Sequence, residues 1–125
     1  MRRDLKDHVH IERAYDPPEP GRRRVLVDRL WPRGVSKERA ALDEWCKDVA
    51  PSTELRKWYD HAVDRFEEFS SRYQDELRHG DAGAAVERLR SAAQTGELAL
   101  VTATRDIEHS GAVVLREFLL GGAGI

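Results

Sequence analysis

Two short apolar runs constrain the fold of this chain more than any other feature. They lie at residues 25–27 (Val-Leu-Val) and 98–101 (Leu-Ala-Leu-Val), and no polar residue interrupts either of them. Such runs predict strands that are buried on both faces of a sheet. The long segment between them has helical spacing of its apolar residues, and a helical crossover usually makes the two strands that it joins parallel. The sequence therefore predicts an α/β fold built on a mostly parallel sheet.

The remaining elements complete a small α/β domain over residues 1–125. A first strand is predicted over residues 8–13, and the second buried strand is expected to continue from residue 98 to 104. About five helices are predicted to cover this sheet of about three strands. The first begins at its cap Ser36 and carries Leu42, Trp45 and Val49 on one face, and the others lie near residues 55–59, 62–78, 83–95 and 110–120. Residues 1–7 and 121–125 are expected to be flexible.

Composition narrows the classes of protein to which the chain can belong. Of its 125 residues, 40% are hydrophobic and 35% are charged, which suffices for one core under a solvated surface. The single cysteine, Cys46, cannot form an internal disulfide, and no signal peptide or bilayer-length apolar run is visible. We therefore expect a cytoplasmic protein without a membrane partner. The net charge of -2 gives no global attraction to nucleic acid.

Polar side chains follow both buried runs. Ligands of open parallel sheets bind beyond the carboxyl ends of the strands, where residues 28–34 and 102–110 are expected to meet. The candidate ligand-binding residues in these two loops are Arg29, Trp31, Arg33, Thr104, Arg105 and Ser110. The candidate catalytic residues are Asp28, Asp106 and His109.

The chemistry of these residue types favours a small anion as the ligand. Arginine binds phosphate, sulfate and carboxylate groups bidentately, and the N-terminus of the last predicted helix adds backbone donors. His109 could transfer a proton with Asp28 or Asp106 as its orienting partner, or could only bond to the backbone. No cofactor is expected, because the chain lacks a phosphate-binding loop with its lysine and a dinucleotide glycine fingerprint. No metal is expected either, because His8 and His10 have no third ligand at a metal-like spacing.

The same candidates also have structural interpretations. Asp28 and Arg29 could form an internal ion pair that fixes the end of the strand. Trp31 could contribute only packing area. Asp106 or Ser110 could simply cap the last helix.

Residues 24–34 (Arg-Val-Leu-Val-Asp-Arg-Leu-Trp-Pro-Arg-Gly) resemble the most specific motif of the YeaO-like branch of the domain of unknown function 488 family. Blocks at residues 50–58, 69–77 and 102–115 extend the resemblance over nearly the whole chain. It implies a compact α/β fold in a bacterial-type cytoplasmic protein. Related branches of the family carry Cys-His-Arg in the late element, where this chain has Glu108, His109 and Ser110. The resemblance therefore does not carry thiol chemistry over to this chain.

Three functions remain open from the sequence. The first is a small-molecule site, catalytic or not, for an anionic ligand at the carboxyl edge of the sheet. The second is a module that binds RNA, DNA or a protein through residues 22–24, Arg29, Arg33 and an exposed Trp31. In the third, the motif residues are purely structural and the arginines are paired internally.

Overall fold

The computed structural model describes residues 4–121 and has a parallel sheet of four strands at its centre. The strands are β1 (Val9–Arg13), β2 (Arg22–Leu26), β3 (Glu44–Trp45) and β4 (Glu97–Thr102), and their order in the sheet is β1-β4-β2-β3. The two central strands, β2 and β4, pair in parallel with Val25 opposite Leu100. This pairing confirms the predicted α/β fold and its parallel sheet.

Five α-helices accompany the sheet in the described part of the chain. They are α1 (Lys37–Ala40), α2 (Thr53–Tyr59), α3 (Phe66–Leu77), α4 (Gly80–Thr95) and α5 (Gly111–Leu119). Short 3-10 helices lie at Leu5–Asp7, Lys47–Val49, Val63–Arg65 and Ile107–His109. The predicted caps Ser36 and Ser110 both accept a backbone N–H of the first helical turn. Residues 1–3 and 122–125, which belong to the ends expected to be flexible, lie outside the described residues.

The strand alternation divides the apolar residues between the two faces of the sheet. Val25 and Leu100 point into the main core, which α2–α5 close from one side. Leu26 and Val101 point to the opposite face, where they form a small second cluster. Arg24 belongs to this second face as well, because it lies two residues before Leu26 on β2. Burial on both faces of β2 and β4 agrees with their uninterrupted apolar runs.

The helix predicted through Leu42, Trp45 and Val49 is wrong. Ala41 takes a left-handed conformation with φ of 47° and ends α1, and the chain then runs beside β2 as the two-residue strand β3. Leu42 and Trp45 contact the second cluster, whereas Val49 is buried in the main core, so the three do not share one helical face. Their helical spacing is therefore a coincidence of residues that face opposite sides of the sheet.

Cys46 lies in the same segment, so it is not helical either. It follows β3 instead of lying on a helix, and its side chain is buried. Burial raises the pKa of its thiol above the ordinary value, and nearby Glu44 raises it further. The thiol is thus held in its protonated, unreactive form.

Candidate functional site

A pocket of about 770 Å³ opens at the carboxyl edge of the sheet. Three segments form most of its wall: the loop that follows β2, the loop that follows β4, and the end of α2. Pro51, Phe69 and the start of α5 complete it. All nine residues predicted for a site lie in this wall, namely Asp28, Arg29, Trp31, Arg33, Thr104, Arg105, Asp106, His109 and Ser110. The parallel pairing of β2 with β4 brings them together, since it places both loops at the same edge.

Asp28 joins the two loops. Its carboxylate accepts hydrogen bonds from the Thr102 hydroxyl at 2.7 Å and from the Ala103 backbone N–H at 2.8 Å. Burial raises the pKa of Asp28 above its ordinary value, and these two hydrogen bonds offset part of the rise. Asp28 and Arg29 do not form an ion pair: the Asp28 carboxylate bonds to the end of β4 and to Ala103, and the Arg29 guanidinium bonds to backbone carbonyls elsewhere.

Arg29 bonds to the backbone ahead of α2. Its Nε donates to the carbonyl of Pro51 at 2.9 Å, and one terminal nitrogen donates to the carbonyl of Ala50 at 3.3 Å. Its side chain is half-buried. These contacts fix the start of α2 against the loop after β2, so Arg29 has a structural role even though it also lines the pocket.

Three other cationic side chains of the pocket are exposed: Arg33, Lys57 and Arg105. Within residues 4–121, the side chains of these three form no hydrogen bond and no ion pair. The backbone carbonyls of two of them are used, since Tyr15 bonds to that of Arg33 and Arg13 bonds to that of Arg105. The guanidinium and ammonium groups themselves are therefore available to a ligand.

Arg56 is the residue of this site that sequence reasoning missed most clearly. It lies on α2 and lines the pocket. Its Nε is the one buried side-chain nitrogen or oxygen in the described part of the chain that lacks a hydrogen-bond partner. A buried donor without an acceptor costs about 1–3 kcal/mol, so such a group calls for an explanation.

His109 is held by two neighbours. Its Nδ1 lies 2.8 Å from an oxygen of Asp106, and its ring meets Phe66 edge to face at 5.2 Å. Of the two orienting partners considered for His109, the structure supplies Asp106. Tyr59 also donates its hydroxyl to the backbone carbonyl of His109 at 2.7 Å, which ties the loop after β4 to α2.

Ser110 and Trp31 make structural contacts within the wall. The Ser110 hydroxyl accepts from the Val113 N–H at 3.3 Å and donates to the carbonyl of Ile107 at 2.6 Å, so it caps α5. The Trp31 indole N–H donates to the carbonyl of Val35 at 2.6 Å. Its ring lies 5.4 Å from that of Trp45 in an edge-to-face arrangement. Both residues thus use their polar groups inside the protein.

His61 and Asp60 also line the pocket, next to the end of α2. Both take the left-handed conformation, with φ of 45° at Asp60 and 57° at His61. This conformation costs a residue with a side chain roughly 1–2 kcal/mol. His61 lies close enough to Asp28 to act on its pKa electrostatically. In the sequence, the only local indication that the end of α2 contributes to the pocket is the pair of adjacent basic residues Arg56 and Lys57.

The three arginines of β2 do not extend the pocket. Arg22 pairs with Glu12 at 2.9 Å, and Arg23 pairs with Glu44 at 3.2 Å. Arg24 is 3% exposed and is paired with Glu12 as well. Each of these three arginines is thus paired with a carboxylate, and none of them lines the pocket.

The described part of the chain, residues 4–121, holds no group of three or more His, Cys, Asp or Glu side chains placed to bind a metal ion. None of its helices is long and apolar enough to cross a membrane.

The family described as the inactive DUF488-N3 subclade matches residues 8–123. The chain belongs to this family. An uncharacterised protein of Mycobacterium tuberculosis strain H37Rv is 46% identical over 114 residues, which cover 90% of this chain and 94% of that protein. The uncharacterised protein YeaO of Escherichia coli K12 is 40% identical over 114 residues, which cover 90% of this chain and 96% of YeaO. No solved structure matches. All three walls of the pocket lie within the part of the chain that the DUF488-N3 family covers.

Proposed function

We propose that this pocket binds a small anionic ligand without transforming it. The observation that carries the proposal is that Arg56 lines the pocket while its guanidinium has no hydrogen-bond partner within residues 4–121, not even at its buried Nε. An anionic oxygen is the strongest acceptor for a guanidinium, so an anion in the pocket would supply the partner that Arg56 lacks.

The charge balance of the wall supports an anion. Five cationic side chains line the pocket against three carboxylates, which gives an excess of two positive charges with the histidines neutral. The cations are Arg29, Arg33, Arg56, Lys57 and Arg105, and the carboxylates are Asp28, Asp60 and Asp106. Asp28 is bound to Thr102 and Ala103, and Asp106 is bound to His109. Two of the three carboxylates thus have partners other than the pocket cations.

Binding without catalysis fits both the family and the residues. The family is described as an inactive subclade. None of the described residues that line the pocket is a cysteine, so its wall offers no thiolate nucleophile. Ser110 is engaged as a helix cap at both its donor and its acceptor. His109 remains as a donor or acceptor toward the ligand, next to Asp106.

A melting-temperature titration tests the proposal. Inorganic phosphate, sulfate and pyrophosphate are added at constant ionic strength, because a ligand that binds the folded state raises its stability by RT ln(1 + [L]/Kd). We expect the wild type to melt at a higher temperature with at least one of these anions. Arg33→Ala and Arg105→Ala should lose most of that shift and keep the ligand-free melting temperature, since both side chains are exposed.

Arg23→Ala is the matched control. Arg23 is exposed and its partner Glu44 does not line the pocket, so this variant should keep the full anion-induced shift. The proposal is contradicted if no anion raises the melting temperature of the wild type. It is also contradicted if Arg33→Ala and Arg23→Ala respond equally.

A further inference from the structure

The pocket is larger than its anion-binding groups require. Its volume of about 770 Å³ lies in the range of roughly 300–1,000 Å³ typical of sites for drug-sized organic ligands. An inorganic anion would fill only a small part of it. Resting on the anion site proposed above, we propose that the ligand is a phosphate monoester of a flat, apolar organic group.

The phosphate monoester follows from charge and from the number of acceptors. The wall carries an excess of two positive charges, and a phosphate monoester carries about −1.5 to −2 at neutral pH. Its three terminal oxygens can accept from several guanidiniums at once, such as those of Arg33, Arg56 and Arg105. A carboxylate offers a single charge and two oxygens, which leaves part of this donor set unused.

The apolar group follows from the other residues of the wall. The loop after β2 contributes Leu30, Trp31 and Pro32, and Tyr59 and Phe69 lie in the wall on the helical side. Flat rings suit such walls, because they bury a large apolar area on aromatic and aliphatic side chains. A ligand with an anionic group at the cations could place its ring on this apolar part.

Leu30 gives the strongest support for an apolar contact between the pocket and its ligand. It is 58% exposed, one of three large hydrophobic side chains in the described part of the chain with such exposure. The other two, Tyr15 and Val63, do not line the pocket. Leu30 lies directly between Arg29 and Trp31, so an organic group attached to a bound phosphate can cover it.

Calorimetric titration with three phosphates tests this inference. The probes are inorganic phosphate, methyl phosphate and phenyl phosphate, with benzoate as the carboxylate counterpart of the aryl ester. We expect phenyl phosphate to bind the wild type about tenfold more tightly than methyl phosphate, because it buries a ring. Benzoate should bind more weakly than phenyl phosphate.

Leu30→Ser separates the apolar contact from the anion site. The exposed position tolerates serine, so we expect an unchanged melting temperature, an unchanged affinity for methyl phosphate and loss of most of the preference for phenyl phosphate. Equal affinities of the wild type for phenyl and methyl phosphate would overturn the apolar contact and leave the anion site standing. Benzoate that binds as tightly as phenyl phosphate would overturn the choice of phosphate. No binding by any of the four probes would overturn both proposals.

Discussion

Arg24 lies on β2 and Arg33 lies in the loop that follows this strand, and the two arginines have opposite environments. Arg24 is 3% exposed, is paired with Glu12 and donates twice to the carbonyl of Ala40. Arg33 is exposed, and its guanidinium forms no hydrogen bond or ion pair with residues 4–121. The strands β1 and β3 supply carboxylates to the arginines of β2, whereas a pocket opens beyond the carboxyl end of β2. The same residue type is therefore structural on the strand and available for a ligand after it.

Among the variants that test this comparison, Arg24→Ala is expected to change the free energy of unfolding most. It leaves the Glu12 carboxylate, whose side chain is 9% exposed, with only the partly exposed Arg22 as its partner, and it removes both donors to the carbonyl of Ala40. Breaking a buried pair costs about 3–5 kcal/mol, and we expect the lower end of this range because Arg22 still pairs with Glu12. Urea denaturation should show a fall in the free energy of unfolding of this size.

Arg23→Ala serves as the control for this measurement. Its side chain is 48% exposed, and an exposed ion pair contributes about 0–1 kcal/mol. The structural assignment of Arg24 fails if the two alanine variants lose similar amounts of stability.

Arg29→Ala should have an intermediate effect. Its guanidinium links the carbonyls of Pro51 and Ala50 to the loop after β2, and the side chain is half-buried. Loss of these hydrogen bonds should lower the free energy of unfolding by about 1–3 kcal/mol. Arg33→Ala, measured in parallel by urea denaturation, should change it by less than about 0.5 kcal/mol. A larger loss in Arg33→Ala than in Arg29→Ala would reverse the assignment of the two residues.

Asp28→Asn should change the pH dependence of stability. Because burial raises the folded-state pKa of Asp28 above its ordinary value of 3.8, the folded state binds the proton more tightly than the unfolded state does. The stabilisation is complete below the unfolded pKa and is lost as the pH rises through the folded pKa. Each unit of the rise corresponds to about 1.4 kcal/mol.

Urea denaturation at pH 7 and at pH 4 measures this effect. The wild type should gain stability relative to Asp28→Asn on acidification. A constant difference between the two proteins at both pH values would show that burial does not raise the pKa of Asp28. A relative loss on acidification would mean that the pKa is lowered.

The carboxyl edge of the sheet and nine residues of the pocket wall were predictable from the sequence. The buried runs of β2 and β4 are short, uninterrupted and separated by helices, so their parallel pairing follows from general rules. That pairing alone places Asp28 and Arg105 at the same edge. Local pattern sufficed here because each residue lies within a few positions of a strand end.

The third wall was not predictable in the same way. Arg56 reaches the pocket because Leu55 and Tyr59 bury one side of α2 in the core, and because Ser52 donates to Glu76 on α3. These contacts join residues far apart in the chain, and no local spacing encodes them. The strand β3 was missed for a related reason, since two residues are too few to show an alternating pattern.

Arg56→Met offers the most direct test of the claim that the pocket cations are held for an anion. The substitution removes a buried donor that has no partner, so the free energy of unfolding without ligand should stay the same or rise. The melting-temperature shift that phosphate or pyrophosphate induces in the wild type should then be largely lost. A variant that melts at much lower temperature without ligand, or that keeps the full anion-induced shift, would contradict the account.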